Sequence, residues 1–267
     1  MGACPTSTEN KHTMAIVTLT TDFGKSDYYA ALIKGALLSR TPAVQLVDIT
    51  HNLPPFDIVQ GAFVLGNTFR SFPEGSIHLL SVNNYDGNLA FIALEREGHY
   101  FVGPDNGVFS LIFGNMGEQV YRLPYDAGDP FPMKTVCCHA VDHIVSGKPL
   151  NEIGLPAGDV EQRIALQPVI SQSQIRGIVI HVDQYENAIT NIGKELFEKV
   201  GKGRDFSILF KRNDPIQQIH SIYHEVPVGE PLAFFNSSGF LEIAINMGKA
   251  SSLLGLQIDD MVQVNFH

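Results

Sequence analysis

Apolar and polar positions change rhythm twice along the chain, and each rhythm predicts different elements. Residues 14–20, MAIVTLT, form a short apolar, β-branched run that ends on the polar TDFG, the pattern of a buried strand delivering a loop at its carboxyl end. Residues 26–40 then place apolar side chains at helical spacing, with Ser26 or Asp27 expected as the cap. A second strand is predicted over 44–49. Pro54 and Pro55 break the chain, and 57–69 returns to helical spacing. Residues 76–82, SIHLLSV, predict a strand opening into the turn NNYDGN, followed by strands over 89–94 and 99–102 and a further turn, GPDNG, at 103–107.

Strands alternating with helices predict an N-terminal α/β domain with a central, mostly parallel sheet covered on both faces. Ligands of such sheets collect at the carboxyl ends of the strands, where TDFG, NNYDGN and GPDNG lie. After about residue 165 the helical spacing gives way to short apolar runs separated by turns, at 175–182, 206–210, 232–235, 241–245 and 261–266. These predict a smaller antiparallel C-terminal domain, barrel-like or a sandwich. The expected division is a flexible polar extension over 1–13, an α/β domain over 14–160 and a β domain over 170–267, with the boundary in LPAGDVEQRIALQPV at 155–169.

Composition narrows the functional classes. The 267 residues carry 18 Lys and Arg against 28 Asp and Glu, a net charge of −10, which argues against general affinity for nucleic acid. Hydrophobic residues at 44% support a packed core. Three cysteines, two of them adjacent at Cys137 and Cys138, build no disulfide framework and read as reduced thiols of a cytoplasmic protein. No apolar run approaches the ~20 residues of a membrane span. The segment MGACPTSTENKHT lacks the apolar centre of a secretory signal, and although Gly2 with Thr6 fits a myristoylation pattern, a polar extension before a start-like Met14 is the expected reading.

Four polar clusters follow apolar runs. Asp22, with Asp27 beyond it, sits where a strand-end carboxylate accepts the vicinal hydroxyls of a ribose, or else simply caps a helix. Asp183 opens a turn that presents Tyr185, Asn187 and Asn191. Asparagine offers both donor and acceptor to an adenine edge and tyrosine stacks on it, although a plain β-turn accounts for the same letters. In NSSGFLEIAIN at 236–246, Ser237 can bond a carboxylate, and Glu242 stands in an apolar run and needs a partner. The fourth, NNYDGN, is by itself only a turn. His139 with His143, and His220 with His224, have i,i+4 spacing. Neither pair lies in a zinc-binding pattern, and the second falls in an expected strand region, so no metal site is predicted.

Seven segments in order, TLTTDFGKSDYY, VDITHNLPPFDIVQGAFVL, FPEGSIHLLSV, YFVGPDNGVFS, GKPLNEIG, YENAITNIG and NSSGFLEIAINMGKAS, resemble the S-adenosyl-L-methionine hydrolase (adenosine-forming) family, the hydroxide adenosyltransferases related to fluorinase and chlorinase. The resemblance implies an enzyme that displaces methionine from the ribose C5′ of S-adenosyl-L-methionine with water. It needs no metal or organic cofactor, and it works as a homotrimer with ligand between one subunit's N-terminal domain and the next one's C-terminal domain. It implies Asp22 on the ribose hydroxyls, Asp27 near the methionine end, Asn83 in the binding loop, Asp183 beside the amino-acid moiety, Tyr185 walling the base, Asn187 on adenine, Ser237 and Glu242 in contact with ligand, and the backbone near Ile245 against adenine.

The same resemblance exposes departures. The Asp, Arg and His that the hydrolases use to position water fall here at Asn83, near Ala90 and within FPMKT at 131–135, and the halide-site residue of the halogenases falls at Met133. Asp86 and His139 are the replacement bases their proximity suggests. A non-catalytic adenosyl-ligand-binding protein, or a transferase using another nucleophile, is the alternative these departures leave open.

Overall fold

The computed structural model describes residues 14–84, 90–126 and 128–267, in two compact units that divide between Ile164 and Ala165. In the first unit, β1 (Ala15–Thr21) leads to α1 (Tyr29–Arg40), β2 (Val44–Thr50), α2 (Ile58–Gly66) and β3 (Ile77–Ser81). The hairpin β4 (Phe91–Arg96) and β5 (His99–Pro104) follows, then α3 (Val108–Phe113), β6 (Val120–Leu123), α4 (Pro132–Val145) and the two-residue β7 (Leu155–Pro156). The sheet runs β2-β1-β3-β5-β4-β6-β7, parallel from β2 to β5 and antiparallel beyond. This is the expected mostly parallel α/β arrangement, with core on both faces. Val17, Leu19, Ile33 and Leu37 pack with α4 on one side, and Leu65, Phe69, Leu80 and Phe101 pack with α2 and α3 on the other.

In the second unit, β8 (Val169–Ile170) and β9 (Gln174–Val182) precede β10 (Ala188–Gly193), α5 (Lys194–Gly201), β11 (Phe206–Phe210), β12 (Pro231–Phe235), β13 (Phe240–Ile245), α6 (Ala250–Leu254) and β14 (Met261–Phe266). The antiparallel sheet, β11-β14-β9-β10-β13-β12, is curled. Its pivot is β9, whose first half pairs with β14 while its second half pairs with β10. Glycine is required at 177, because an added Cβ would stand 2.5 Å from both Asn191 Oδ1 and Ile192 Cγ1.

Several local expectations shift. The first helix begins at Tyr29 with Tyr28 at its N-cap and no side-chain cap, so neither Ser26 nor Asp27 serves. Aromatic rings gather at this end of the helix: Tyr28 stacks on Tyr29 at 4.6 Å, and Phe23 and Phe131 close against Tyr29 at 5.7 and 5.6 Å. The second helix is shorter than its spacing suggested. Asp57 caps it by accepting the Gln60 N–H at 3.0 Å, and the chain tightens to a 3-10 turn over Phe69–Ser71. His220 and His224 do not lie on a strand; His224 falls in the 3-10 turn Tyr223–Glu225. The extension over 1–13 lies outside the described residues. Among the described residues no helix is long and apolar enough to cross a membrane.

One polar chain crosses the first core. Thr18 Oγ1 lies 2.7 Å from His78 Nδ1, and His78 Nε2 lies 3.2 Å from His99 Nδ1, with Phe69, Phe72 and Phe101 packed around the rings. Burial, reinforced by His99, pushes the His78 imidazole down to about 3 from 6.5, so it is folded in its neutral form. The unfolded chain takes up a proton below the ordinary histidine value while the folded chain does not. The stability this group contributes is therefore complete above pH 6.5 and lost as pH falls toward 3, by at most about 1.4 kcal/mol per pH unit. Denaturant titrations at pH 7, 6 and 5 should show that loss, and His78→Gln should flatten it; an equal slope in both proteins contradicts this assignment.

Candidate functional site

Asp22 is the first residue past the buried end of β1, and three loops meet on it. Its N–H donates to Ser81 O at 3.3 Å, continuing the β1–β3 ladder. Its Oδ2 accepts the Phe56 N–H at 3.0 Å and the Asn83 N–H at 3.3 Å. Both donors sit in left-handed backbone, Phe56 at φ 66° and Asn83 at φ 51°. Asparagine tolerates that region, whereas a phenylalanine there is strained, and its ring is 69% exposed at the mouth of the loop. Asn106, from the GPDNG turn, donates Nδ2 to the carbonyls of Val82 and Asn83 at 2.9 and 3.2 Å, tying the loop after β5 to the one after β3. Asp22 is thus anchored through one carboxylate oxygen. Its Oδ1 has no hydrogen-bond partner among the described residues.

The other predicted residues of this unit are placed differently from one another. Asp27 lies exposed in the bend before α1, in the loop that begins at Asp22. Met133 is buried in the core, its sulfur accepting from Cys137 Sγ at 3.1 Å, so the 131–135 segment turns its sulfur side chain inward. His139 is exposed on α4 along a cavity of about 720 Å³ lined also by Tyr125, Asp129, His143 and Glu152, a lining that includes neither Asp22 nor Asn83. Asp86 lies outside the described residues.

In the second unit the structure draws together residues far apart in sequence. Asp183 Oδ1 accepts the N–H groups of Tyr185 and Asn187 at 2.9 and 2.8 Å, and its Oδ2 accepts Asn187 Nδ2 at 3.1 Å. Asn187 Nδ2 also donates to the Tyr223 hydroxyl at 3.3 Å, which donates to Glu242 Oε1 at 3.2 Å. Asn236 Nδ2 completes the chain on Glu242 Oε2 at 3.1 Å, while its Oδ1 accepts the N–H groups of Ser238 and Phe240. Glu242 is buried on β13 between Ile189 and Phe234, so the partner it needed is this network. Tyr185 is 77% exposed, and Ser237 is exposed in the turn between β12 and β13. Ile245 ends β13 with its carbonyl accepting the Gly248 N–H at 3.0 Å, followed by exposed Met247 at φ 54°. Asn191 lies on β10, not in a turn, and its Oδ1 accepts the Ile178 N–H at 2.9 Å.

Phe56 and Tyr223 were not singled out in the sequence, and Asn236, which opens the third polar cluster, was given no role there. Neither Phe56, whose link to Asp22 spans 34 residues, nor Tyr223, in an irregular stretch, carries a local signal. Among the described residues no group of three His, Cys, Asp or Glu side chains could hold a metal ion.

Burial raises the Glu242 carboxyl above 4.5, with Asp183 adding to it, against the hydrogen bonds from Asn236 and Tyr223. Burial and Glu242 in turn push the Tyr223 hydroxyl up to about 12. A carboxyl raised in the folded state lowers stability as pH rises past the ordinary glutamate value. Carboxyl-carbon NMR should find Glu242 titrating above 4.5, and Tyr223→Phe, which removes a donor to the anion, should raise the midpoint further. A midpoint at or below 4.5, or one that falls in the variant, contradicts the network.

Comparisons with known proteins agree across both units. Residues 17–154 match the SAM hydroxide adenosyltransferase N-terminal domain and residues 177–263 the C-terminal domain of the same name. The chain is 32% identical over 251 residues to a Thermus thermophilus protein named (R)-S-adenosyl-L-methionine hydrolase, covering 88% of this chain and 94% of that one. It is 25% identical over 270 residues to a fluorinase of an Actinoplanes species, covering 86% and 91%. A solved structure of an uncharacterized conserved protein from Thermotoga maritima superposes with a TM-score of 0.83 at 26% identity, over 94% of this chain and 99% of that one. With both domains matched in order over most of its length, the chain belongs to the SAM hydroxide adenosyltransferase family.

Proposed function

We propose that this protein is an enzyme that binds S-adenosyl-L-methionine and transfers its adenosyl group to water, giving adenosine and L-methionine. The observation that carries the reading is Asp22, fixed by two loop N–H groups through Oδ2 and open at Oδ1, where ribose hydroxyls can donate. The name of the Thermus thermophilus relative, (R)-S-adenosyl-L-methionine hydrolase, supports the same substrate. In this reading Phe56 and Asn83 border the ribose, and Asp27 lies toward the methionine end. Asn187, whose Nδ2 is already committed, offers Oδ1 to the adenine amino group, with Tyr185 as wall. Asp183 and Glu242 supply negative potential, Ser237 a hydroxyl, and the turn after Ile245 a backbone edge. A carboxylate ~4 Å from a sulfonium is worth about 4 kcal/mol at an effective dielectric near 20, before desolvation.

The step is a displacement. The water oxygen bonds to C5′, the C5′–S bond breaks with its electron pair going to sulfur, and the water gives up a proton, leaving neutral thioether and alcohol. The sulfonium is already a good leaving group, so alignment of water with C5′ and exclusion of bulk solvent are the protein's main tasks, and no cofactor is invoked. Asp86 and His139 are proposed as proton acceptors. We place the reaction in the cytoplasm and the working assembly as a homotrimer, with no nucleic acid or membrane as partner. One observation favours a second reading, a non-catalytic adenosyl-ligand-binding protein or a transferase with another nucleophile: segment 131–135 presents no imidazole and buries Met133.

Incubation of the protein with S-adenosyl-L-methionine in ¹⁸O-labelled water should release methionine and adenosine carrying the label on its 5′ oxygen. Binding without products supports the second reading, and products that form only with an added anion or amine support the other transferase. Replacing Asp22 with Ala removes charge-assisted hydrogen bonds of about 1.5–3 kcal/mol, so calorimetric affinity should fall roughly 10- to 100-fold. Alanine at both Asp86 and His139 should abolish adenosine release, and unchanged turnover rejects both as bases.

A further inference from the structure

Thr21, the last residue of β1, is 1% exposed, and its hydroxyl belongs to a line of polar groups that the displacement does not use. Thr21 Oγ1 lies 2.9 Å from His51 Nδ1, His51 Nε2 lies 3.1 Å from Asp48 Oδ1, and Lys34 Nζ donates to Asp48 Oδ2 at 2.6 Å. The Nε2 contact is electrostatic, since that N–H is not aligned for a hydrogen bond. Proton positions follow from the partners. Thr21 Oγ1 accepts the Phe23 N–H at 3.4 Å, so its own O–H is free to donate to His51 Nδ1. That puts the imidazole proton on Nε2, facing Asp48. Burial pulls the Asp48 carboxyl up, but Lys34 and His51 together hold it below the ordinary range, so it faces the imidazole as an anion.

We propose that Thr21, oriented by His51 and Asp48, is a positioning residue that sets the aim of the Asp22 carboxylate. The inference rests on the reading of Asp22 as the ribose acceptor. Side chains alternate across a strand, so a hydroxyl locked on one side of Thr21 fixes the side toward which the next residue points. The backbone reinforces this link. Gly24 donates its N–H to His51 O at 2.6 Å and Leu53 donates to Thr21 O at 3.4 Å, so the loops after β1 and β2 are joined at the residues carrying the hydroxyl and the imidazole. The Phe23 N–H on Thr21 Oγ1 then holds the peptide that follows Asp22. Phe56, which donates to Asp22, lies on the same β2 loop, five residues beyond His51. Asp48, His51 and Thr21 thus determine where both sides of that hydrogen bond stand, with none of the three required to touch the reacting atoms.

The test is adenosine titration calorimetry on the full chain, with Thr21→Val to delete the hydroxyl at constant shape, Thr21→Ser to keep it, and Asp48→Asn as an exposed variant that does not open the core. Thr21→Val should weaken adenosine about tenfold, as expected for loss of the two ordering hydrogen bonds that the hydroxyl makes. Thr21→Ser should restore affinity to within about twofold, and Asp48→Asn should weaken it about threefold. In an Asp22→Asn background Thr21→Val should cost nothing more, because the residue acts through that carboxylate. A loss of equal size in both backgrounds, or parent-like affinity in Thr21→Val, overturns the proposal. A ligand-free readout separates this inference from the functional one. Hydrogen exchange at the Phe23 amide should accelerate in Thr21→Val and recover in Thr21→Ser, while β3 amides stay protected. If the parent protein takes up no adenosine the ribose reading fails, and unchanged Phe23 protection in Thr21→Val then overturns the positioning role on its own.

Discussion

A carboxylate at the end of a buried strand must be held by donors or move out to water, and the first unit is arranged around that requirement at Asp22. Two peptide N–H groups, from Phe56 and Asn83, meet one of its oxygens. Presenting them forces both residues into left-handed backbone, an unfavourable conformation for phenylalanine. That strain persists because neighbouring loops over-determine it: Asn106 grips the carbonyls of Val82 and Asn83, and Asp57 caps α2 directly after Phe56. The parallel order of β2, β1, β3 and β5 places these loops at one edge, so fold and site answer to the same constraint.

The second unit solves a related problem inside its core. Glu242 lies between apolar strand neighbours, and its two oxygens are satisfied by Tyr223 and Asn236, side chains brought in from outside β13. Because Tyr223 is also held by Asn187, and Asn187 by Asp183, residues from Asp183 to Glu242 share one chain of hydrogen bonds. A change at any member propagates to the others, since a buried polar group left unpartnered costs more than the bond it lost.

Much of this architecture was legible in the sequence, and what was not has physical causes. Apolar runs with sharp polar ends, such as those that became β1, β3 and β14, identify themselves because strand burial and loop chemistry agree there. The segment that became β10 reads as a turn, because its asparagine and threonine letters are used as partners, Asn191 for Ile178 and Thr190 for Leu241, rather than for solvent. The α1 start was misplaced because Ser26 and Asp27 carry capping letters that the structure does not use, and the helix begins at Tyr29 among the rings of Phe23, Tyr28 and Phe131. Asp22 and Glu242 stood out as polar residues at apolar boundaries. Phe56 and Tyr223 did not, since their relation to those carboxylates exists only once distant loops meet.

The proposed contact between Asp22 Oδ1 and the hydroxyls of a ribose is tested by removing each side of it in turn. Calorimetric affinities of adenosine and 2′,3′-dideoxyadenosine for the parent protein and for Asp22→Ala form a closed cycle. Loss of the hydroxyls should weaken binding strongly in the parent protein and hardly at all in the variant. Equal losses in the two proteins would contradict it.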